Sequence, residues 1–299
     1  MVRNLKLDPK ICTDDFHHRL VVITGATSGI GLAAARKYAS QGADLLLINR
    51  NEAKSKEICE TLRREFNSQC TYFIADFSRI ADLHKAANYL SSLDRDIDVI
   101  IHNAGLYNTK RTLTQDKLEA VFQTNYLSTF ILNYSLREKL KKQYRGRILF
   151  VNSEAYRFSV WGLNFDDLSW ENHRYSGLTS YGAAKMAQLL SMIKFNDFFS
   201  GSGVTINAMH PGNVKTNSGQ NNGAIYKFFK KILVDRSARP LEISAEALYY
   251  LGVSPQLNQV SGKYFNLTTE EGLAPPALDG EAAEKLWVIS KELGGIYDK

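Results

Sequence analysis

The aliphatic run Leu20-Val21-Val22-Ile23 leads straight into Thr24-Gly25-Ala26-Thr27-Ser28-Gly29-Ile30-Gly31, and this junction limits the fold more than any other stretch of the chain. A short apolar run reads as a buried strand, and glycines directly after it read as a tight turn feeding a helix. Glycine lets the backbone approach an anion closely, while the unpaired N–H groups at the head of a helix attract one. The junction therefore suits a pyrophosphate. A tight turn that keeps its glycines for packing alone would look the same, so both readings stay open at this point.

Further short apolar runs follow at Ala43–Ile48, Thr71–Ala75, Asp98–His102, Arg147–Asn152, Val204–Met209 and Gly262–Asn266. Between them lie segments with apolar residues at three- and four-residue intervals, beginning near Gly29, Glu52, Arg79, Thr114 and Ser180; Ile58, Leu62 and Phe66 are one such set. Strands alternating with helices predict a parallel sheet, and right-handed crossovers make it doubly wound with about seven strands and helices on both faces. In such a fold ligands bind at the carboxyl ends of the strands. Gly29, Asn103, Ser153 and Pro211 all follow strand ends.

The rhythm divides the chain into a lead segment, 1–18, a single domain, 19–266, and a tail, 267–299. In the tail, a helix is expected from Gly280 to Leu293, capped by Asp279, with Ala282, Leu286, Ile289 and Leu293 on the face that packs on the core.

Composition narrows the function classes. The chain has 299 residues, 44% hydrophobic and 23% charged, and no stretch long and apolar enough for a membrane span. The first residues carry Asp8, Asp14 and Asp15 in place of an apolar signal core, so a cytoplasmic location is expected. Its three cysteines, Cys12, Cys59 and Cys70, form neither an even set nor a metal-ligand spacing, and the histidines show none either, so no metal is expected. The formal charge of +6 is densest from Arg137 to Arg147, where a helix should end and cations oppose its dipole. No aromatic-basic pattern accompanies it, so no nucleic-acid partner is expected.

Tyr181 and Lys185 stand one helical turn apart, which puts both side chains on one face. An ammonium there favours tyrosinate and draws the phenol toward the range of a general acid or base. Tyr226 and Lys230 share the spacing, and an exposed neighbour pair explains either one equally well. Order separates them. The glycine turn, Asn103-Ala104-Gly105, Asn125, Ser153, Tyr181 with Lys185, and Pro211-Gly212 follow one another as they do in the short-chain dehydrogenase/reductases, which the chain resembles over residues 19–266. Tyr226 lies beyond Pro211-Gly212 and falls outside that order.

The resemblance implies a Rossmann-type domain and a role for each motif residue. Tyr181 would protonate a carbonyl oxygen, or deprotonate the alcohol in reverse, with Ser153 holding the same oxygen. Lys185 would lower the tyrosine pKa and bind the nicotinamide ribose, and Asn125 would order a water that leads protons to the lysine. Gly25, Ser28, Ile30 and Gly31 would form the pyrophosphate turn, Asp76 would meet the adenine, and Asn103 with Ala104 would line the middle of the cofactor. Pro211, Gly212 and Val214 would follow the nicotinamide, whose carboxamide Thr216 would hold. Ser128, where glycine is common, and His102, where asparagine is more usual, depart from the family pattern.

Asn49 and Arg50 end the second strand without a carboxylate, and Arg50 can pair with a 2′-phosphate, so NADP(H) is expected over NAD(H). The insertion Phe158–Thr179, with Trp161, Phe165, Trp170 and Tyr175, resembles the branch of retinol dehydrogenases and WW-domain-containing oxidoreductases. It suits either a hydrophobic substrate of the retinoid, steroid or fatty aldehyde class or simple packing. The amphipathic stretch Ile225–Leu233 could line that pocket, pack on the core or rest peripherally on a membrane surface.

Two other functions fit the same motifs. One is a double-bond reductase similar to the protochlorophyllide reductases, whose final helix resembles Glu284-Lys285-Leu286-Trp287-Val288. The other is a non-catalytic NADP-sensing or scaffold protein. The family also often forms homodimers through the helices that begin here near Thr114 and Ser180.

Overall fold

In the computed structural model, which describes residues 8–214 and 239–297, eight strands form one sheet in the order β3-β2-β1-β4-β5-β6-β7-β8. They are β1 (Leu20–Thr24), β2 (Asp44–Asn49), β3 (Cys70–Ile74), β4 (Val99–His102), β5 (Gly146–Val151), β6 (Val204–His210), β7 (Tyr264–Asn266) and β8 (Thr269–Glu271). All neighbours pair parallel except β7 with β8. Strand order reverses between β1 and β4, and a doubly wound sheet opens its crevice at such a switch point. The expected fold class is thus the observed one, with an eighth strand added. That strand is three residues long and carries Glu270 and Glu271, so it has no apolar run to betray it; charge on a short edge strand also discourages pairing with other chains.

Both sheet faces are covered, which is why the strands read as continuous apolar runs. Val22, Ile48, Ile100, Phe150 and Ile206 face one way. There they meet α3 (Ile80–Ser91), α4 (Ser128–Lys142), α5 (Gly177–Phe199) and α7 (Gly280–Leu293). Val21, Ile23, Leu47, Val151 and Met209 face the other way, onto α1 (Gly29–Ser40), α2 (Glu52–Phe66) and α6 (Leu241–Val253). Phe16 from the lead segment packs edge-on against Tyr38 in this second layer.

Two helices differ from expectation in an instructive way. The helical segment placed near Thr114 begins at Ala120, because Leu113 bridges back to Glu119 and Lys117 adopts a left-handed conformation. Glu119 then caps the new start, its carboxylate accepting from the N–H groups of Val121 and Phe122. A π turn, Gln123–Leu127, separates this start from α4. In α7 Leu286 is buried as expected and Ala282 and Leu293 pack on the core, but the fully buried line also takes in Ala283 and Ser290. Ser290 shares a 2.6 Å hydrogen bond with the buried Tyr126 hydroxyl, and Trp287 packs against Phe130 and Phe195. A buried serine is invisible to apolar periodicity, which is why Ser290 was not expected on this face. Asp279 does cap the helix, accepting from Ala282 N–H.

Candidate active site

A crevice of about 790 Å³ runs across the carboxyl ends of the strands. Gly25, Ser28 and Ile30 line one part, Arg50 and Asp76 another, and Asn103, Ala104, Ser153, Tyr181, Lys185, Pro211, Gly212 and Val214 complete it. Asn125 and Gly31 stand behind its wall. Thr216 and Ile225–Leu233 lie outside the described residues, as does the Tyr226 and Lys230 pair.

The glycine turn is held by side chains that local composition does not advertise. Gly25 has φ +69°, and a Cβ on it would stand 2.8 Å from Ala104 Cα. On Gly31 a Cβ would meet Asn103 Nδ2 and the Gly25 carbonyl at 2.5 Å, so this glycine lets helix and loops close up behind the crevice. Asn103 Nδ2 donates to the carbonyls of Thr24 and Gly25, and Thr24 Oγ1 accepts from the N–H groups of Asn103 and Ala104. Buried Asn49 accepts from Ala26 N–H and donates to Ser55 Oγ. It therefore fastens the turn to β2.

The head of α1 opens on the crevice through Thr27, Ser28, Gly29 and Ile30, with no acidic residue in its first turn. A helix head without a carboxylate is suited to an anion. Arg50 and Lys54 also line this end; Arg50 is exposed and makes no hydrogen bond or ion pair among the described residues. The cavity size and the anion-seeking helix head fit a dinucleotide.

The opposite end is built around α5. Lys185, 3% exposed, donates to the Val151 carbonyl at 2.8 Å and to Gln188 Oε1 at 3.2 Å. Burial lowers its pKa to about 7. Gln188 is fully buried; its Oε1 also accepts from Asn152 Nδ2, and its Nε2 donates to the Asn125 carbonyl. Asn125 sits in the π turn, where its side chain exchanges hydrogen bonds with the Leu106 backbone. Lys185 and the Asn125 carbonyl are thus joined through the Gln188 amide. Asn152 accepts from Ser153 N–H and donates to the Lys185 carbonyl, tying the serine to α5.

Tyr107 was not foreseen as a wall residue. Its ring meets that of Tyr181 edge-on at 5.7 Å between centroids, and both line the crevice. His210, at the end of β6, lines it too; burial holds its imidazole below the usual range against the pull of Glu154 and Glu271. The insertion aromatics stand elsewhere. Phe165 packs on the core, Trp170 lies edge-on to Tyr175, and Tyr175 donates to Glu119. Trp161 is 96% exposed. Phe158 is half exposed and lies against Gly182, next to Tyr181.

The model for short chain dehydrogenases matches residues 19–164. Human retinol dehydrogenase 13 is 31% identical over 93% of this chain and 85% of its own length. The chain belongs to the short-chain dehydrogenase/reductase family. Human WW domain-containing oxidoreductase is 29% identical over 93% of the chain and 69% of its own length. An uncharacterized protein from Mycobacterium paratuberculosis shares the fold with a TM-score of 0.75, 26% identity and coverage of 95% of this chain and 96% of that one. Membership makes the chain an oxidoreductase of CH–OH and C=O groups, and the retinol dehydrogenase-like branch is the one the insertion suggested. Among the described residues, no helix of this short-chain dehydrogenase/reductase is long and apolar enough to cross a membrane.

Proposed function

We propose that the chain is an NADP(H)-dependent enzyme that interconverts a hydrophobic carbonyl compound and its alcohol. The observation that carries this reading is that Ser153, Tyr181 and Lys185 line the same crevice as Arg50 and Lys54. NADPH, when bound, supplies the hydride.

The protein supplies the proton and the alignment. Ser153 hydroxyl orients the substrate oxygen, and Tyr181 gives it a proton. The Lys185 ammonium has three N–H groups, two of which are engaged by Val151 and Gln188, leaving one for the crevice and the cofactor ribose. Held in this way, its charge favours the tyrosinate that remains after proton transfer. Arg50 and Lys54 favour a 2′-phosphate by charge-assisted hydrogen bonds. Leu106 and Tyr107 in the crevice lining favour an apolar substrate body, in line with relatives named for retinol.

The test is NADPH oxidation across retinal, steroid ketones and aliphatic aldehydes of increasing length, with Tyr181→Phe as control. Turnover that rises with substrate size and disappears in the variant supports the reading. NADPH binding with no carbonyl reduced, and no effect of Tyr181→Phe, would replace it by a cofactor-sensing protein.

A further inference from the structure

Cys59 and Cys70 are eleven residues apart in the chain and meet in the fold. Cys59 lies on the buried face of α2, and Cys70 opens β3, which pairs with β2 beneath that helix. Their Sγ atoms are 2.7 Å apart with both thiols free. A disulfide needs about 2.05 Å, so a movement of less than about 1 Å would join them. Neither sequence spacing nor an odd number of cysteines pointed to this pair.

The surroundings treat the two sulfurs differently. Arg63, one turn after Cys59 on α2, donates to the Cys70 carbonyl. The hydrogen bond from the Cys70 thiol lowers the Cys59 pKa against the opposing effect of burial, and the Arg63 charge lowers it further; Cys70 is pushed up. A recess of about 380 Å³ bounded by Arg63, Asn67, Gln69 and Cys70 reaches the pair from the Cys70 side, with Cys59 buried behind it. The third cysteine, Cys12, is buried elsewhere, and desolvation raises its thiol.

We propose that Cys59 and Cys70 form a dithiol site that a small peroxide, entering by this recess, converts to a disulfide. Cys59 thiolate attacks one peroxide oxygen, the O–O bond breaks, and the other oxygen leaves as hydroxide. Cys59 is now a sulfenic acid. Cys70 sulfur attacks Cys59 sulfur, the S–O bond breaks, and the departing hydroxide takes the Cys70 proton to give water. Two thiols are oxidised and one peroxide is reduced to water. The bridge ties α2, whose first turn carries Lys54, to β3, which runs on to Asp76 at the crevice.

Purified full-length protein is treated with hydrogen peroxide, quenched, denatured, alkylated and mapped by peptide mass spectrometry. The expected result is a Cys59–Cys70 linked peptide with Cys12 still alkylated, so that two of the three thiols are lost and a phosphine restores them. In Cys70→Ser, dimedone should trap the Cys59 sulfenic acid. Full alkylation of Cys59 and Cys70 after a dose that oxidises Cys12 would overturn the proposal. So would a disulfide that forms only between chains.

Discussion

At the glycine-turn end of the crevice, Gly25, Ser28, Asn49 and Asp76 all come from the first three strands and the loops that follow them. At the opposite end, Asn125, Ser153 and Lys185 come from three separate stretches joined by the buried Asn152 and Gln188 side chains. Asn49 reaches Ala26 across 23 residues, whereas Gln188 reaches Asn125 across 63. The first end is shaped chiefly by the conformation and close approach of its glycines, which Thr24, Asn49 and Asn103 pin in place, and the second by a polar side-chain network. Backbone-built sites fail when a side chain is forced in, and network-built sites fail when one amide is removed.

Gly25→Val should give the largest effect. A left-handed position disfavours a β-branched residue, and the added Cβ would collide with Ala104 Cα at 2.8 Å. Together these should cost on the order of 3 kcal/mol of stability and about a hundredfold or more in NADPH affinity. Thermal melts and cofactor fluorescence titration measure both. Wild-type affinity in a folded variant would show that this turn does not hold the phosphates.

Gln188→Leu attacks the other end. It strips a partner from Lys185 Nζ, from Asn152 Nδ2 and from the Asn125 carbonyl at once, so kcat should fall roughly 10- to 100-fold with NADPH affinity little changed. Gln188→Glu sharpens the contrast. An anion against Lys185 would keep it charged above its pKa of about 7, moving the corresponding limb of the kcat–pH profile to higher pH. A uniform loss with an unmoved profile in both variants would reduce Gln188 to packing.

The same contrast explains what could be read from the chain. Gly25, Ser28 and Ile30 were legible because strand, turn and helix head are contiguous there. Motif order singled out Ser153, Tyr181 and Lys185 as candidates, and all three line the crevice. Gln188 and Tyr107 were not, since an interior glutamine or a loop tyrosine has no signature until its distant partner is placed. Asn49 was read for the carboxylate it lacks, and its bond to Ala26 needed the turn's geometry. The insertion aromatics left pocket and packing both open, and Phe165 and Tyr175 take the packing side, against the core and Glu119.

Arg50 and Lys54 test whether charge alone can add selectivity to a backbone-built end. Replacing both by alanine should weaken NADPH binding about tenfold and leave NADH binding unchanged, as expected for exposed charge-assisted contacts to a phosphate. Parallel titrations with the two cofactors decide it. An equal loss for both would place these cations on the diphosphate, and no loss for either would remove them from the cofactor site.

His102 gives the smallest effect at neutral pH and probes the network end from behind. It is fully buried beside Lys185's strand neighbours, its Nε2 bonded to Asn133 Oδ1 at 2.7 Å, and its Nδ1 has no partner among the described residues. Desolvation first, and the Lys185 charge after it, lower its pKa from 6.5 to about 4 despite the Asn133 bond. Between those values the unfolded chain binds a proton that the folded chain refuses, so stability falls as pH drops from 6.5 toward 4. By pH 5 the loss from this group should be about 2 kcal/mol. His102→Asn removes the titration, and urea unfolding from pH 7 to pH 5 should show a shallower decline than wild type, whatever constant offset the lost Asn133 contact adds. Equal slopes would mean that the imidazole takes up its proton in the folded state, and that the network around Lys185 tolerates a charge beside it.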